Sequence, residues 1–288
     1  MDGRNTGCRT FIPCKVQNHM NPLFLLKKMR AVREDGRALY YLDAGSMPVA
    51  VHSLVGKELT LEATGKRVCN GCQKEVEELF RMGYCRSCFF THPAAGASLV
   101  SPEKSTAHLG IEDRDLAYEQ ALQLQPHVVY LAHTGAVKVG VTRAQQPETR
   151  WLDQGATEAI VLAQTTNRYE AGLLEVHLKN YFPDKTQWQS LVKGTSPVGV
   201  DWAAERTKAL EHFQPEWRTW VVERNEPWRV EYPVLHYATK PSYLSLEKTP
   251  EFTGRLSGIR GQYLIFEDSR VFNVRGHEGH EVRLRVRS

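Results

Sequence analysis

The chain reads as an α+β, multidomain protein in three parts: a β-rich domain assembled from both termini, a zinc ribbon, and a central ββαβα unit. Three observations predict this. Short β-branched runs broken by glycines fill residues 30–62 and again 263–287, and each set alone is small for an independent core. Between them, Cys69-Asn70-Gly71-Cys72 and Cys85-Arg86-Ser87-Cys88 make two cysteine pairs separated by twelve residues. Residues 127–182 then switch between strand and helix periods in the order ββαβα.

Composition narrows the class without naming a function. A chain of 288 residues with 41% hydrophobic content has room for two or three small domains. A net charge of +4 and a pI near 8.7 are compatible with nucleic acid but too small to argue for it. No apolar run approaches the roughly 18 residues of a membrane span. The N-terminus carries Arg4, Arg9 and Lys15 but no apolar core like that of a secretion signal, so the expectation is a cytoplasmic protein.

Residues 1–28 have turn formers without periodicity and are expected to be a disordered leader or to reflect an upstream start. Cys8 and Cys14 lack partner ligands there, which makes them two free thiols rather than a metal pair. Residues 29–65 form a β segment, with strands at Ala38–Leu42, Val49–Val51 and Leu59–Leu61 and breaks at Gly36, Gly45 and Gly56.

Residues 66–92 are the zinc ribbon. Four thiolates from Cys69, Cys72, Cys85 and Cys88 close tetrahedrally around zinc, and the metal supplies folding energy that so short a segment cannot draw from a core. Disulfides are the competing reading, disfavoured without a signal for an oxidising compartment. A closed four-sulfur site keeps no open position, so this zinc is structural. Arg67, Lys74, Arg81 and Arg86 surround the cysteines, but Glu75, Glu77 and Glu78 offset them, and charge does not decide whether the module binds nucleic acid or braces a neighbour.

Residues 93–126 are a linker and a helix, Glu112–Gln125, stopped by Pro126. His92 and His108 flank the linker, where hydrogen bonding is expected rather than a second metal site.

Residues 127–194 are the central unit. Strands at Val128–Ala132 and Val137–Val141 flank Thr134-Gly135, a hairpin signal. Pro147 opens a helix through Arg150 that closes near Gly155, a third strand runs Ala159–Thr165, and Asn167 caps a helix with Leu174, Leu178 and Tyr181 at helical spacing before Phe182-Pro183. A further helix is expected from Asp184 to Gly194.

This unit resembles the GIY-YIG nuclease superfamily, nearest its phage and fungal branch. The first motif is Val128-Val129-Tyr130, the second Lys138-Val139-Gly140, the helical arginine is Arg150, and the last helix carries Leu174-Glu175-Val176-His177. The chain as a whole also resembles a bacterial family known as domain of unknown function 2797, a label that describes no activity. The nuclease resemblance covers about a fifth of the chain and implies a site of Tyr130, Lys138, Arg150 and Glu175 acting on DNA, or RNA second, with magnesium or manganese.

Phosphodiester cleavage needs a cation to polarise the phosphate, a base for water, and positive charge where negative charge develops. By resemblance, Glu175 binds the metal, Arg150 clamps phosphate oxygens with its planar fork, and Tyr130 places or deprotonates the water. Lys138 departs from the tyrosine found in many members. With an ordinary pKa of about 10 it is a phosphate ligand, unless desolvation lowers it; otherwise Tyr130 carries the base role alone. A three-residue turn including Ala136 puts Tyr130 and Lys138 on one sheet face, whereas a two-residue turn separates them. The plain structural readings are a half-buried Tyr130, a solvated Lys138, a surface Arg150 and Glu175 as an ordinary helix former, with His177 a packed helix residue.

Residues 195–230 are a helical connector, including Asp201–Phe213, and Trp217, Trp220 and Trp228 are core anchors before they are base-stacking platforms. Residues 231–288 form the C-terminal β domain, with strands at Tyr263–Phe266, Val271–Val274 and Val282–Arg287 that join the N-terminal strands. In the last strand Arg283, Arg285 and Arg287 share one face, either following a phosphate backbone or facing water. The leading function is metal-dependent nucleic-acid cleavage. The runner-up is a nucleic-acid-binding or ribosome-associated module without chemistry, and the third reading is a protein-interaction scaffold.

Overall fold

The structure is a computed structural model, and it describes residues 21–287 apart from 46, 184–186, 195–198 and 224–225. The N-terminal part supplies β1 (Leu23–Leu25), β2 (Arg30–Glu34), β3 (Arg37–Ala44), β4 (Met47–Ala50) and β5 (Glu58–Arg67). The cysteine segment leads into α1 (Arg86–Thr91), and the linker ends in α2 (Leu116–Gln123). In the middle come β6 (His127–His133), β7 (Val137–Arg143), α3 (Pro147–Gln154), β8 (Glu158–Thr165), α4 (Arg168–Leu178), α5 (Trp188–Val192), α6 (Trp202–Glu211) and β9 (Trp228–Arg229). The C-terminal strands are β10 (Ser242–Leu244), β11 (Glu251–Arg260), β12 (Tyr263–Phe266), β13 (Arg270–Asn273) and β14 (His280–Arg287).

The described residues form an α+β structure with three sheets. Strands from both ends share a seven-stranded sheet in the order β1-β14-β5-β11-β12-β13-β10, while β2-β3-β4 form a separate sheet. The two sheets bury one apolar cluster between them, including Tyr40, Leu54, Phe252, Phe272 and Leu284. The N-terminal strands therefore divide between two sheets that share a core.

Several expectations need correction. Residues 23–26 do not belong to the leader expected over residues 1–28, because Leu23–Leu25 pairs antiparallel with β14 and buries Phe24, with Leu26 buried just beyond it; residues 1–20 lie outside the described residues. Cys8 and Cys14 lie outside the described residues, as does the start of the helix expected from Asp184, of which Trp188–Val192 is described as helical. The linker helix starts at Leu116 rather than Glu112, since Asp115 accepts a hydrogen bond from the Tyr118 N–H at 2.9 Å and so sets the N-cap. The arginines of β14 do share a face, but Glu62 and Glu251 pair with Arg285 at 3.2 and 2.6 Å and Glu58 pairs with Arg287 at 3.6 Å. That stripe is a compensated surface, not a free basic track.

The four-stranded sheet runs β7-β6-β8-β9, with β6 in the interior and buried along its whole length. One face packs Val129, Leu131, Val139 and Ile160 against Ala171, Leu174 and Leu178 of α4. The other packs Val128, Tyr130 and Ala132 against Trp151 of α3. Covering on both faces explains why VVYLA is continuously apolar rather than alternating. The tryptophans pack: Trp151, Trp202 and Trp217 are buried. Strand β7 is left at the edge, bordered by α3 on one side and α4 on the other.

Candidate functional site

Register decides which side chains can meet. His133 pairs with Val137, so the β6–β7 turn comprises Thr134, Gly135 and Ala136, and Tyr130 faces Gly140 across the strands. Lys138, two residues before Gly140, shares that face with Tyr130. The three-residue turn is the arrangement a shared site requires.

Tyr130 lies over Gly140, where a Cβ would come within 2.6 Å of its hydroxyl. The ring is fully buried and packs edge-on to Trp151 at 5.7 Å. Its hydroxyl meets the side chain of Gln154. In the amide orientation that satisfies its neighbours, the Gln154 oxygen stands 3.2 Å from the hydroxyl and accepts from Arg150 Nε at 2.7 Å and Nη2 at 3.1 Å. Arg150 and Gln154 are four residues apart on α3, so one turn brings them side by side. Burial raises the Tyr130 pKa, against the opposing pull of Arg150, so the phenol is protonated at neutral pH. The expected base role is not available to Tyr130 in this state, and the expectation of a half-buried ring is replaced by full burial.

On the other side of β7, Asn167 caps α4 by accepting from the Glu170 N–H at 3.0 Å. Arg168 and Glu175, seven residues apart, project from the same flank of this helix. Glu175 is only 8% exposed, and Lys179 Nζ stands 3.5 Å from its Oε2 as an ion pair. Burial raises its pKa, while Lys179 and Arg168 pull it back. Lys138 is also just 8% exposed, so it is not the solvated edge charge its position suggested.

Lys138, Arg150 and Glu175 line one cleft of about 620 Å³, with Tyr130 one layer beneath its floor. Six cations border it: Lys28, Lys138, Arg143, Arg150, Arg168 and Arg275. The acids on its walls are Asp113, Glu119, Asp153 and Glu175, and Asp153 is already paired with Lys28. The far wall comes from the linker, drawn onto α4 where Gly172 leaves no room for a side chain: a Cβ there would meet Glu103 N at 2.3 Å. Arg168 fastens the same linker by donating to the carbonyls of Ser98 and Leu99.

His127, at the start of β6, also borders the cleft. Its Nδ1 donates to the Gln125 carbonyl at 2.7 Å, leaving Nε2 buried without a partner among the described residues, and burial brings its pKa down to about 4. His177, by contrast, packs against Trp217 and contacts the His212 carbonyl at 2.9 Å, a structural role. Gln154, Arg168, Arg143 and His127 were absent from the sequence-derived site. Helical spacing from Arg150 and Glu175 marks Gln154 and Arg168; nothing local marks the other two.

The four cysteines form a separate candidate metal centre. The sulfurs of Cys69, Cys72, Cys85 and Cys88 all lie within 4.8 Å of one another, and the cluster could hold a metal ion such as zinc. Main-chain N–H groups of Gly71 and Cys85 point at Cys69 Sγ from 3.3 and 3.1 Å. Burial works against ionisation of Cys69, but the N–H groups of Cys85, Cys72 and Gly71 outweigh it and hold the thiol down at about 6. Cys88 is pushed up to about 12 by burial and then by its three sulfur neighbours, a competition that a divalent ion removes. The donor set therefore fits a thiophilic ion.

No helix of the described residues is long and apolar enough to cross a membrane. In comparisons with known proteins, the family model described as "Protein of unknown function (DUF2797)" matches residues 56–282. No curated protein and no solved structure matches.

Proposed function

The chain belongs to the DUF2797 family, and from its cleft we propose that it is a metal-dependent nuclease, cleaving phosphodiester bonds of DNA before RNA. The observation that carries this reading is the meeting of Lys138, Arg150 and Glu175, from a strand and two helices far apart in sequence, around the edge of β7. Their order on a ββαβα unit with β6 inside supports the likeness to GIY-YIG nucleases. Six bordering cations suit a polyanion.

In this proposal Glu175 holds magnesium or manganese, and a buried carboxylate whose oxygen already faces a cationic group fits that use. The bound ion would supply Lewis acidity and an activated water. Arg150 grips the phosphate, Lys138 neutralises charge, and Tyr130 positions Arg150 through Gln154 instead of taking a proton. The four-cysteine centre holds structural zinc, because four sulfurs leave no open position. We further propose the division into a β-rich domain of residues 23–65 and 231–288, a ribbon of 66–92, a linker of 93–126, a nuclease-like unit of 127–194 and a helical connector of 195–230.

A second reading, nucleic-acid binding without chemistry, draws on the ammonium of Lys179 standing 3.5 Å from Glu175, where a cation would otherwise sit. Labelled DNA and RNA strands, incubated with magnesium, manganese or chelator while binding is followed across a salt series, separate the two. Metal-dependent cleavage lost in Glu175→Ala supports the nuclease. Steeply salt-dependent binding without cleavage in either metal supports the second reading.

A further inference from the structure

Away from the cleft, three acceptor groups face one another at the end of the seven-stranded sheet. His277 closes the turn Arg275–His277, His280 opens β14, and Glu247 lies in the loop between β10 and β11. His277 Nδ1 is 2.8 Å from the Asn273 carbonyl oxygen, and His280 Nδ1 is 3.0 Å from the His277 carbonyl oxygen. A carbonyl oxygen only accepts, so both Nδ1 atoms carry the proton and each neutral ring presents its Nε2 lone pair.

Both Nε2 atoms lie near the same carboxylate. His280 Nε2 lies 3.3 Å from Glu247 Oε1, and His277 Nε2 lies 3.7 Å from Glu247 Oε2. The imidazoles are 2% and 6% exposed, their centroids are 5.7 Å apart, and Phe272 stacks on His277 at 4.5 Å, fixing that ring. Among the described residues His280 Nε2 is buried with no hydrogen-bond donor, whereas His277 Nε2 accepts from the Leu246 N–H at 3.3 Å, and Glu247 also accepts from the Ser245 hydroxyl. The His280 lone pair and the Glu247 carboxylate repel one another unless a positive species lies between them.

We propose that His277, His280 and Glu247 form a second metal site, distinct from the cysteine cluster and independent of the nuclease reading, for a zinc-class divalent cation. Two imidazole nitrogens and one carboxylate oxygen are the donors such ions take, and the half-exposed Glu247 leaves a fourth position open to water. An Nδ1–H bonded to a main-chain carbonyl is the outer-shell contact that metal-binding histidines make, and both rings have it. Binding through His277 displaces the Leu246 N–H, a shift confined to the loop that carries Glu247. A shared proton between His280 and Glu247 is the competing occupant, and nitrogen-15 NMR separates it from a bound ion.

The test is zinc content of the full chain after equilibration with zinc and desalting, together with a cobalt titration. Wild type should hold about two ions and Glu247→Gln about one, with cobalt affinity of the non-thiolate site at least about tenfold weaker in the variant. Thiolate-to-cobalt absorption should be unchanged, reporting an intact cysteine centre. Glu247 is chosen because its exposed side chain can be altered without opening the core, and His280→Ala, checked by its melting curve, should repeat the loss. About one ion in wild type and variants alike would overturn the proposal. So would a proton on His280 Nε2, seen by nitrogen-15 NMR, in wild type with excess zinc.

Discussion

The hydroxyl of Tyr130 occupies the space that a side chain on Gly140 would need, 2.6 Å from the Cβ position. Strand β7 can approach β6 here only because residue 140 has no side chain. Gly140→Ala is therefore expected to displace Tyr130, break its contact with Gln154 and cost about 1–3 kcal/mol. Tyr130→Phe keeps the ring and should cost only about 1 kcal/mol, since it loses one hydrogen bond. Urea unfolding of the two variants checks the order: equal costs would mean that the close approach is relaxed elsewhere.

For the cysteine centre, metal removal should act locally. Cys69→Ala takes away the most buried ligand, and apparent zinc free energies of about 10–16 kcal/mol in small tetrahedral sites leave a cluster of this size unable to fold alone. Hydrogen exchange should show residues 68–92 losing protection while β6 keeps it. Unchanged protection in 68–92 would mean that packing of Tyr84 and Phe89, not metal, holds the segment.

Stability should fall in mild acid through His127. Its folded pKa, about 4, lies below its ordinary 6.5, so the neutral ring's contribution is complete above 6.5 and is lost as pH falls toward 4. His133, lowered by burial and Arg260, acts in the same direction. Chemical denaturation from pH 7 to 4 should give a shallower decline in His127→Gln than in wild type. Parallel curves would remove His127 from the account.

Lys179 competes with any cation for Glu175. Lys179→Ala is expected to lower the magnesium or manganese concentration for half-maximal binding several-fold, roughly the worth of one partly buried ion pair. Calorimetric titration measures it, and an unchanged midpoint would place the metal elsewhere.

Much of this arrangement is legible in the residues, and what is not has physical reasons. Proline at the start of α3, Gly155 in the left-handed region at φ 71° and the Asn167 cap fix both helices locally, so they can be read without the fold. The three-residue turn was one of two stated options, and only the pairing of His133 with Val137 chooses it. Strand β11 went unread because Gly254 and Gly258 interrupt its pattern; they admit the Phe266 ring and Val234, contacts that exist only after folding. The same holds for β1, whose three residues acquire a reason to be extended from β14 at the opposite end of the chain. Likewise the burial of Lys138 and Tyr130 is a property of the helices that cover them, invisible along a single strand.

In the proposed mechanism Glu175 holds a cation against a phosphate gripped by Arg150. The most direct measurement is single-turnover nicking of supercoiled plasmid in magnesium and in manganese, comparing wild type with Glu175→Gln at matched melting temperature. The account predicts metal-dependent nicking by wild type and at least about a hundredfold loss in the variant. Equal rates in the two proteins, or no nicking by zinc-loaded wild type in either metal, would contradict it.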